Sequence, residues 1–353
     1  MDINEDYSGI MLGKYQLLSK LGNGGFGAVY KVYDSVLKTE KALKILQVNR
    51  PEEAEKIFQE ASIPYKCQHR NIIKIYGGEL IPIIINSTKT RELLFVIDME
   101  LVDGVSVEKL LQTDFLSLTQ SLNIIKDILF GLEHSHNEGI IHRDIKPGNI
   151  LIDKGIPKLS DFGLASTLGT MIEPPKWYLP HCAPEAMLNN IATVETDIFA
   201  MGITFFRMVN NIKDWSNYLQ TLYSDINELE NDIISGTFIK KLQYRPYVPE
   251  KVKRIIKKAC AFNPAERYSS ASEMRNAIAK LHTNIEWHKT SDIQWYGNEK
   301  NGKLKEILIE SKKNKYKVII KNNGRISSKE SKEFTTFEDS QNYMNEFIKE
   351  SLL

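Results

Sequence analysis

Between Ile140 and Gly163 the chain sets out His142, Arg143, Asp144, Lys146 and Asn149, and then Asp161, Phe162 and Gly163. Two short apolar runs separate these groups, and a turn around Asp153–Gly155 divides the runs. A hairpin would therefore present both acidic motifs from one edge. The array suits phosphoryl transfer. Asp144 can orient and deprotonate a hydroxyl, while Lys146, two residues on, neutralises charge on the transferred group. Asn149 and Asp161 offer the oxygen ligands that Mg²⁺ on a nucleotide requires.

Chemistry of this kind needs elements that hold the phosphates. The stretch Gly22-Asn23-Gly24-Gly25-Phe26-Gly27 is followed by Val29, Tyr30, Val32 and Tyr33, which continue a β-type run instead of opening a helix. The pattern predicts strand, glycine turn, strand: a flap whose backbone N–H groups approach phosphates because side chains are absent. The next strand, from Lys41 to Leu46, carries Lys44 inside an apolar run, with Lys41 expected at the surface. Asn49, Pro51 and the acids Glu52, Glu53 and Glu55 then signal a helix that carries Glu60. Pro64 removes the helical bond to the Glu60 carbonyl, so that helix is expected to end or kink there. Strands are predicted over Ile72–Tyr76 and Leu93–Met99, with more strand at Ile81–Ile85 and an extended turn near Asn86–Thr90. Beyond Gly104 the texture is helical, at Val107–Leu111 and at Leu118–Glu138 with its stripe Leu122, Ile125, Leu129 and Leu132.

Taken jointly, His142-Arg143-Asp144-x-Lys146-x-x-Asn149 followed by Asp161-Phe162-Gly163 resembles the catalytic loop and metal-binding motif of eukaryotic-type Ser/Thr protein kinases. The resemblance runs over roughly Tyr15–His282. It implies an α+β, bilobal protein-kinase-like fold: a leader over 1–14, a kinase domain over 15–282 with a β-rich lobe to 102, and a helical lobe over 103–282. ATP and Mg²⁺ would lie between the lobes. Leu21, Val29, Ala42 and Leu151 would enclose the base, with Met99 as gatekeeper and Glu100–Val102 as the hinge. Lys44 would grip phosphates and pair with Glu60. Asp197 would prop the catalytic-loop backbone, and Arg267 would pair with Glu185.

The chain departs from the family pattern in three places. Pro64 stands where an apolar residue usually packs beneath the Asp-Phe-Gly phenylalanine. Tyr178 replaces the threonine that usually bonds the catalytic aspartate and lysine. Counted from Asp161, the usual phosphosite falls at Pro174, beside Glu173, whose carboxylate is placed to act instead, with Ser166, Thr167 and Thr170 as other sites. The implied activity is phosphorylation of protein Ser/Thr hydroxyls, and of the enzyme itself. Two other readings stand beside it: a pseudokinase or regulatory binding module acting through the C-terminal part, and a kinase-like phosphotransferase for a non-protein substrate.

Residues 283–353 form a small α+β appendage of no assigned family. Trp287 and Trp295 flank a polar turn, Leu304–Glu310 and Tyr316–Lys321 alternate like strands, and Asn322-Asn323-Gly324 is a hairpin turn. Phe337–Leu352 reads as an amphipathic helix started by Thr336. Lysines outnumber acids between Lys300 and Arg325, for which a solvated strand face is favoured over an acidic or RNA partner.

Composition narrows the setting. The net charge of +1 gives no argument for nucleic acid or membrane as a partner of the whole chain. Three widely spaced cysteines suit free thiols in a reducing compartment. The acidic N-terminus lacks signal-peptide features, and no apolar run reaches the roughly 18 residues of a membrane span. A cytoplasmic, soluble kinase of bacterial or viral type is the expectation.

Overall fold

The computed structural model describes residues 5–24, 27–48, 65, 67–85, 88–162, 166–167, 178–312 and 315–353. A small lobe is built on six antiparallel strands: β1 (Met11–Leu12), β2 (Tyr15–Gly24), β3 (Gly27–Asp34), β4 (Thr39–Val48), β5 (Ile75–Ile85) and β6 (Thr88–Met99). Their order is β1-β2-β3-β4-β6-β5. Period-two alternation gives the sheet two faces. Ala28, Tyr30, Val32, Leu43, Ile45, Leu94 and Val96 line one face and form a buried core with Leu12, Tyr15, Leu17 and Ile81. Val29 stands opposite Lys44, and Ala42 opposite Met99, so these four share the other face.

Three expectations change here. Lys41 is not a surface residue: it is 5% exposed, on the same strand face as Leu43 and Ile45. Its ammonium is held by Asp98 at 2.6 Å and Asp34 at 3.1 Å, which makes burial tolerable. The strand predicted at Ile72 begins at Ile75 instead, and Ile72 makes an isolated bridge to Leu159 in the large lobe. From there β5 and β6 pair as far as Ile85 and Thr88, leaving a shorter connection than the extended turn expected. The described part of the leader is also recruited to the sheet. Gly9 N–H donates to the Leu17 carbonyl at 2.7 Å, and Tyr30 Oη donates to the Glu5 carbonyl at 3.1 Å.

The large lobe starts at β7 (Gly104–Ser106), which lies so close to the neighbouring strand that a Cβ on Gly104 would meet the Ile152 carbonyl oxygen at 1.8 Å. Helices α1 (Val107–Thr113) and α2 (Leu118–Asn137) follow. Ser117 and Gln120 cap α2 reciprocally, at 3.1 and 2.9 Å, an arrangement worth about 1 kcal/mol. Leu122, Ile125, Leu129 and Leu132 are buried along α2, as their spacing predicts. After it come β8 (Ile140–Ile141), β9 (Ile150–Asp153), β10 (Ile156–Leu159) and β11 (Ser166–Thr167). Helices α3 (Pro184–Asn189), α4 (Val194–Val209), α5 (Trp215–Gln220), α6 (Ile226–Ser235), α7 (Phe238–Lys241), α8 (Glu250–Ala259) and α9 (Ala271–Ala279) complete the lobe. Helix α4 is buried almost all round, from Thr196 to Val209, and forms the axis of the lobe's core.

The C-terminal part is a second sheet, β12 (Ile285–Ser291), β13 (Gln294–Glu299), β14 (Leu304–Lys312), β15 (Lys315–Asn322), β16 (Arg325–Ile326) and β17 (Lys332–Phe334), followed by α10 (Phe337–Leu352). Asn323 and Gly324 both have positive φ, as the hairpin turn requires. Ile307, Ile309, Val318 and Ile320 join Met344, Ile348 and Leu352 in one core. That core reaches the large lobe: Trp295 meets Phe115 and Tyr247 edge to face, with centroids 5.1 and 5.0 Å away. Ser117 Oγ donates to Glu286 at 2.8 Å across the same boundary. Acids stand among the strand lysines, as in the pairs Lys321–Glu306 at 3.0 Å and Lys305–Glu330 at 3.5 Å.

Candidate active site

Strands β9 and β10 form the expected hairpin, with Asp153 opposite Ile156. Lys154 and Gly155 both have positive φ, the signature of a tight two-residue turn. The hairpin carries Asn149 at one end and Asp161 just past the other, and Ser160 N–H donates to the Asn149 carbonyl at 2.8 Å.

The backbone of the loop that carries His142, Arg143 and Asp144 is fixed from the first turn of α4. Asp197 accepts from His142 N–H and Arg143 N–H, one bond per carboxylate oxygen, each at 2.8 Å, and also contacts His136 Nε2 at 2.9 Å. Arg143 has φ of 71° and Asp161 has φ of 61°. Left-handed backbone at a residue with a side chain costs on the order of 1 kcal/mol, and the Asp197 bonds hold Arg143 against that cost. His142 accepts from Asp144 N–H through Nδ1 at 3.2 Å and donates from Nε2 to the Ser160 carbonyl at 3.0 Å. Both ring nitrogens are thus used by a neutral imidazole, and burial pushes its pKa down.

Asp144 is 8% exposed. Lys146 Nζ lies 2.9 and 2.7 Å from its two oxygens. Asn149 Nδ2 donates to the same carboxylate at 2.8 Å and to the Asp144 carbonyl at 2.7 Å. This commits the Asn149 nitrogen and leaves its amide oxygen as the acceptor. Lys44, from β4, forms an ion pair with Asp161. Burial raises the Asp161 carboxyl, but the Lys44 ammonium, with His142 and Lys146 beside it, turns the net shift downward. Phe162 is buried, its ring 4.5 Å from that of His142.

The nucleotide-site residues read from the sequence fall on both sides of this centre. Val29, Ala42, Lys44 and Met99 share one sheet face, and Leu21 sits at a bulge in the β2–β3 pairing. Gly22 pairs with Val29, Asn23 with Ala28 and Gly24 with Gly27, so the strands of the flap are present. Glu100 N–H is committed to the Lys74 carbonyl at 2.9 Å, Val102 is half-buried beyond it, and Leu151 stands on β9. Gly25, Phe26 and Glu60 lie outside the described residues, as do Pro64, Thr170, Glu173 and Pro174.

The supports beyond the centre are also formed. Arg267 Nη1 and Nη2 grip the two oxygens of Glu185 at 2.6 and 2.8 Å. Two contacts had no sequence signal. Lys158 pairs with Glu100, 58 positions away. Lys146 Nζ also lies 4.9 Å from the centroid of the Tyr178 ring, where the threonine pattern would have placed a hydroxyl.

Comparison with known proteins agrees with this geometry. A family model described as the protein kinase domain matches residues 15–279. Serine/threonine-protein kinase PrkC of Bacillus subtilis is 31% identical over 276 residues, covering 75% of this chain and 40% of that protein. Serine/threonine-protein kinase PksC of Streptomyces coelicolor is 28% identical over 297 residues, covering 76% and 49%. The chain thus spans less than half the length of these curated relatives. Among solved structures, a mutant of the PknI kinase domain of Mycobacterium tuberculosis superposes with a TM-score of 0.54 at 20% identity, covering 77% of this chain and 97% of that one. At that identity the likeness bears on the fold alone.

Proposed function

The chain belongs to the protein kinase family, and from that premise we propose that it transfers the γ-phosphoryl group of ATP to serine and threonine hydroxyls of proteins, itself included. The observation that carries the reading is the Asp144 carboxylate, held by Lys146 and Asn149, with Lys146 also acting on the Asp161 carboxylate that Lys44 pairs. Asp144 orients the acceptor hydroxyl and takes its proton as the oxygen attacks. Lys146 keeps that carboxylate in place and offsets the charge that develops on the transferred group. Lys44 steadies the phosphates from the sheet side. The Asn149 amide oxygen and the ionised Asp161 carboxylate are hard donors, and the Lys44 ammonium at Asp161 marks that position as cation-receptive. These residues fit Mg²⁺: Asn149 and Asp161 would hold it, and it would supply positive charge that offsets the charge of the ATP phosphates.

The test is transfer from labelled ATP to proteins, with phosphosites mapped by mass spectrometry. Wild type is expected to label Ser and Thr. Asp144→Ala should lose transfer by a factor of at least ~10² while keeping its affinity for Mg²⁺–ATP, and Asp161→Ala should lose both. Equal loss of nucleotide binding in both variants would overturn this division of roles, and a wild type without transfer would overturn the activity.

A further inference from the structure

Beside the catalytic loop the large lobe has a cleft lined by Tyr178, Trp215, Glu108, Gln112, Lys213 and Asp214. Tyr178 joins it to the reaction centre, since the same ring meets Lys146 Nζ at 4.9 Å and Lys146 holds Asp144. A protein chain whose hydroxyl reaches Asp144 must therefore lay its neighbouring residues along or near this cleft.

The charges around it are unevenly committed. Glu108 takes both of its short contacts, 2.7 Å each, from Nη2 of Arg207, a guanidinium that is 1% exposed. Arg207 in turn stacks over Trp215 at 5.1 Å. Asp214 accepts the Asn217 N–H at 2.9 Å, capping α5 with one of its oxygens. Lys213 is exposed and has no ion-pair partner among the described residues. Behind the two aromatic walls lies His181, whose ring is 5.3 Å from Tyr178 and 6.2 Å from Trp215. Burial first, and then the Arg207 and Lys146 cations, push its pKa well down, so the group behind the aromatic walls is a neutral imidazole.

We propose that this cleft receives an acidic side chain flanking the acceptor residue of the protein substrate, a carboxylate or a phosphorylated hydroxyl, with Lys213 as its counter-ion and Gln112 as a hydrogen-bond donor. The proposal rests on the kinase reading above and names a substrate class for it. Each flanking group that meets Lys213 replaces hydration of an exposed ammonium with an ion pair against low-dielectric aromatic walls. The contact therefore discriminates more than an open surface pair would.

The experiment uses the full chain and a set of serine peptides that vary one flanking position at a time. Asp, Glu, phosphoserine, Gln and Lys are compared by kcat/KM, for wild type, Lys213→Glu and the remote exposed control Lys280→Glu. At one or more positions wild type should favour an acidic residue over Lys by about fivefold to tenfold. Lys213→Glu should abolish or invert that ratio, and Lys280→Glu, with the same change in net charge, should keep it. Separate Asp and phosphoserine arms show which acid the cleft prefers. Indifference to flanking charge, a preference that survives Lys213→Glu, or a basic preference assignable to Asp214 would each overturn the proposal while leaving the kinase reading intact. Failure to phosphorylate any peptide or protein would overturn both.

Discussion

The Lys41 ammonium lies 2.6 Å from the Asp98 carboxylate, inside a core otherwise made of Leu17, Tyr30, Leu43 and Val96. Asp34 completes the cluster while accepting from Val36 N–H and Leu37 N–H, which ties the pair to the β3–β4 turn. Removing one member of a buried ionic cluster strands the others. Lys41→Met is therefore expected to destabilise the protein by about 3–5 kcal/mol in urea unfolding. A change below about 0.5 kcal/mol would mean that the lysine behaves as a surface residue after all.

Tyr178 meets Lys146 with its ring and not with its hydroxyl. The contact should then survive Tyr178→Phe, with kcat within about twofold of wild type. Tyr178→Leu should lose about threefold to tenfold, the range set by one cation–π contact. If Tyr178→Phe is as damaged as Tyr178→Leu, the hydroxyl is the operative group.

Two fully buried histidines, His142 and His181, are held neutral, their pKa values lowered chiefly by burial. The unfolded chain binds their protons more readily than the folded one. Their contribution is complete above the usual histidine value near 6.5 and is lost as pH falls from there. Stability should drop with falling pH by at most about 1.4 kcal/mol per pH unit for each histidine. Asp34 and Asp161, with lowered pKa values, act only below the ordinary carboxylate range, so the two effects separate. Unfolding free energies measured at pH 7.5, 6.5 and 5.5 check this, and a flat profile would contradict it.

Trp295 is 2% exposed between the C-terminal sheet and the rings of Phe115 and Tyr247. Trp295→Ala is expected to cost about 3–5 kcal/mol and to open the segment between His282 and Gly302 to limited proteolysis. Wild type should resist cleavage there. Rapid cutting of wild type that leaves a stable, active fragment over 15–282 would show that the appendage hangs free.

Much of the site was legible because its residues are local in sequence. The spacing from His142 to Asn149, the hairpin turn at Lys154-Gly155 and the Asp161 motif depend on one another within a short stretch of chain. The two lysines of β4 show where that legibility ends. Lys41 and Lys44 are three residues apart and so face opposite sides of the strand, and both are buried. The carboxylate that makes room for Lys41 comes from Asp98, 57 positions later, and no local pattern announces it. The same holds for Phe115 and Trp295, whose contact depends on how a second core settles on the first.

The bonds at Asp197 also imply an order in which the site comes apart. The acceptor side of the centre is tied to the interior of the large lobe by His142 N–H, Arg143 N–H and His136 together. The small-lobe side is tied to Asp161 by the Lys44 ion pair, and to the β9–β10 hairpin by the Ile72–Leu159 bridge and the Lys158–Glu100 pair. Amide hydrogen exchange reads how firmly the loop that carries Asp144 is anchored. His142 and Arg143 should exchange only when the whole lobe unfolds, well after the amides of the glycine flap. Early exchange at those two amides would mean that the anchor is looser than its bonds suggest. If they are slow, the position of Asp144 is set by the core of the large lobe and not by the sheet above it.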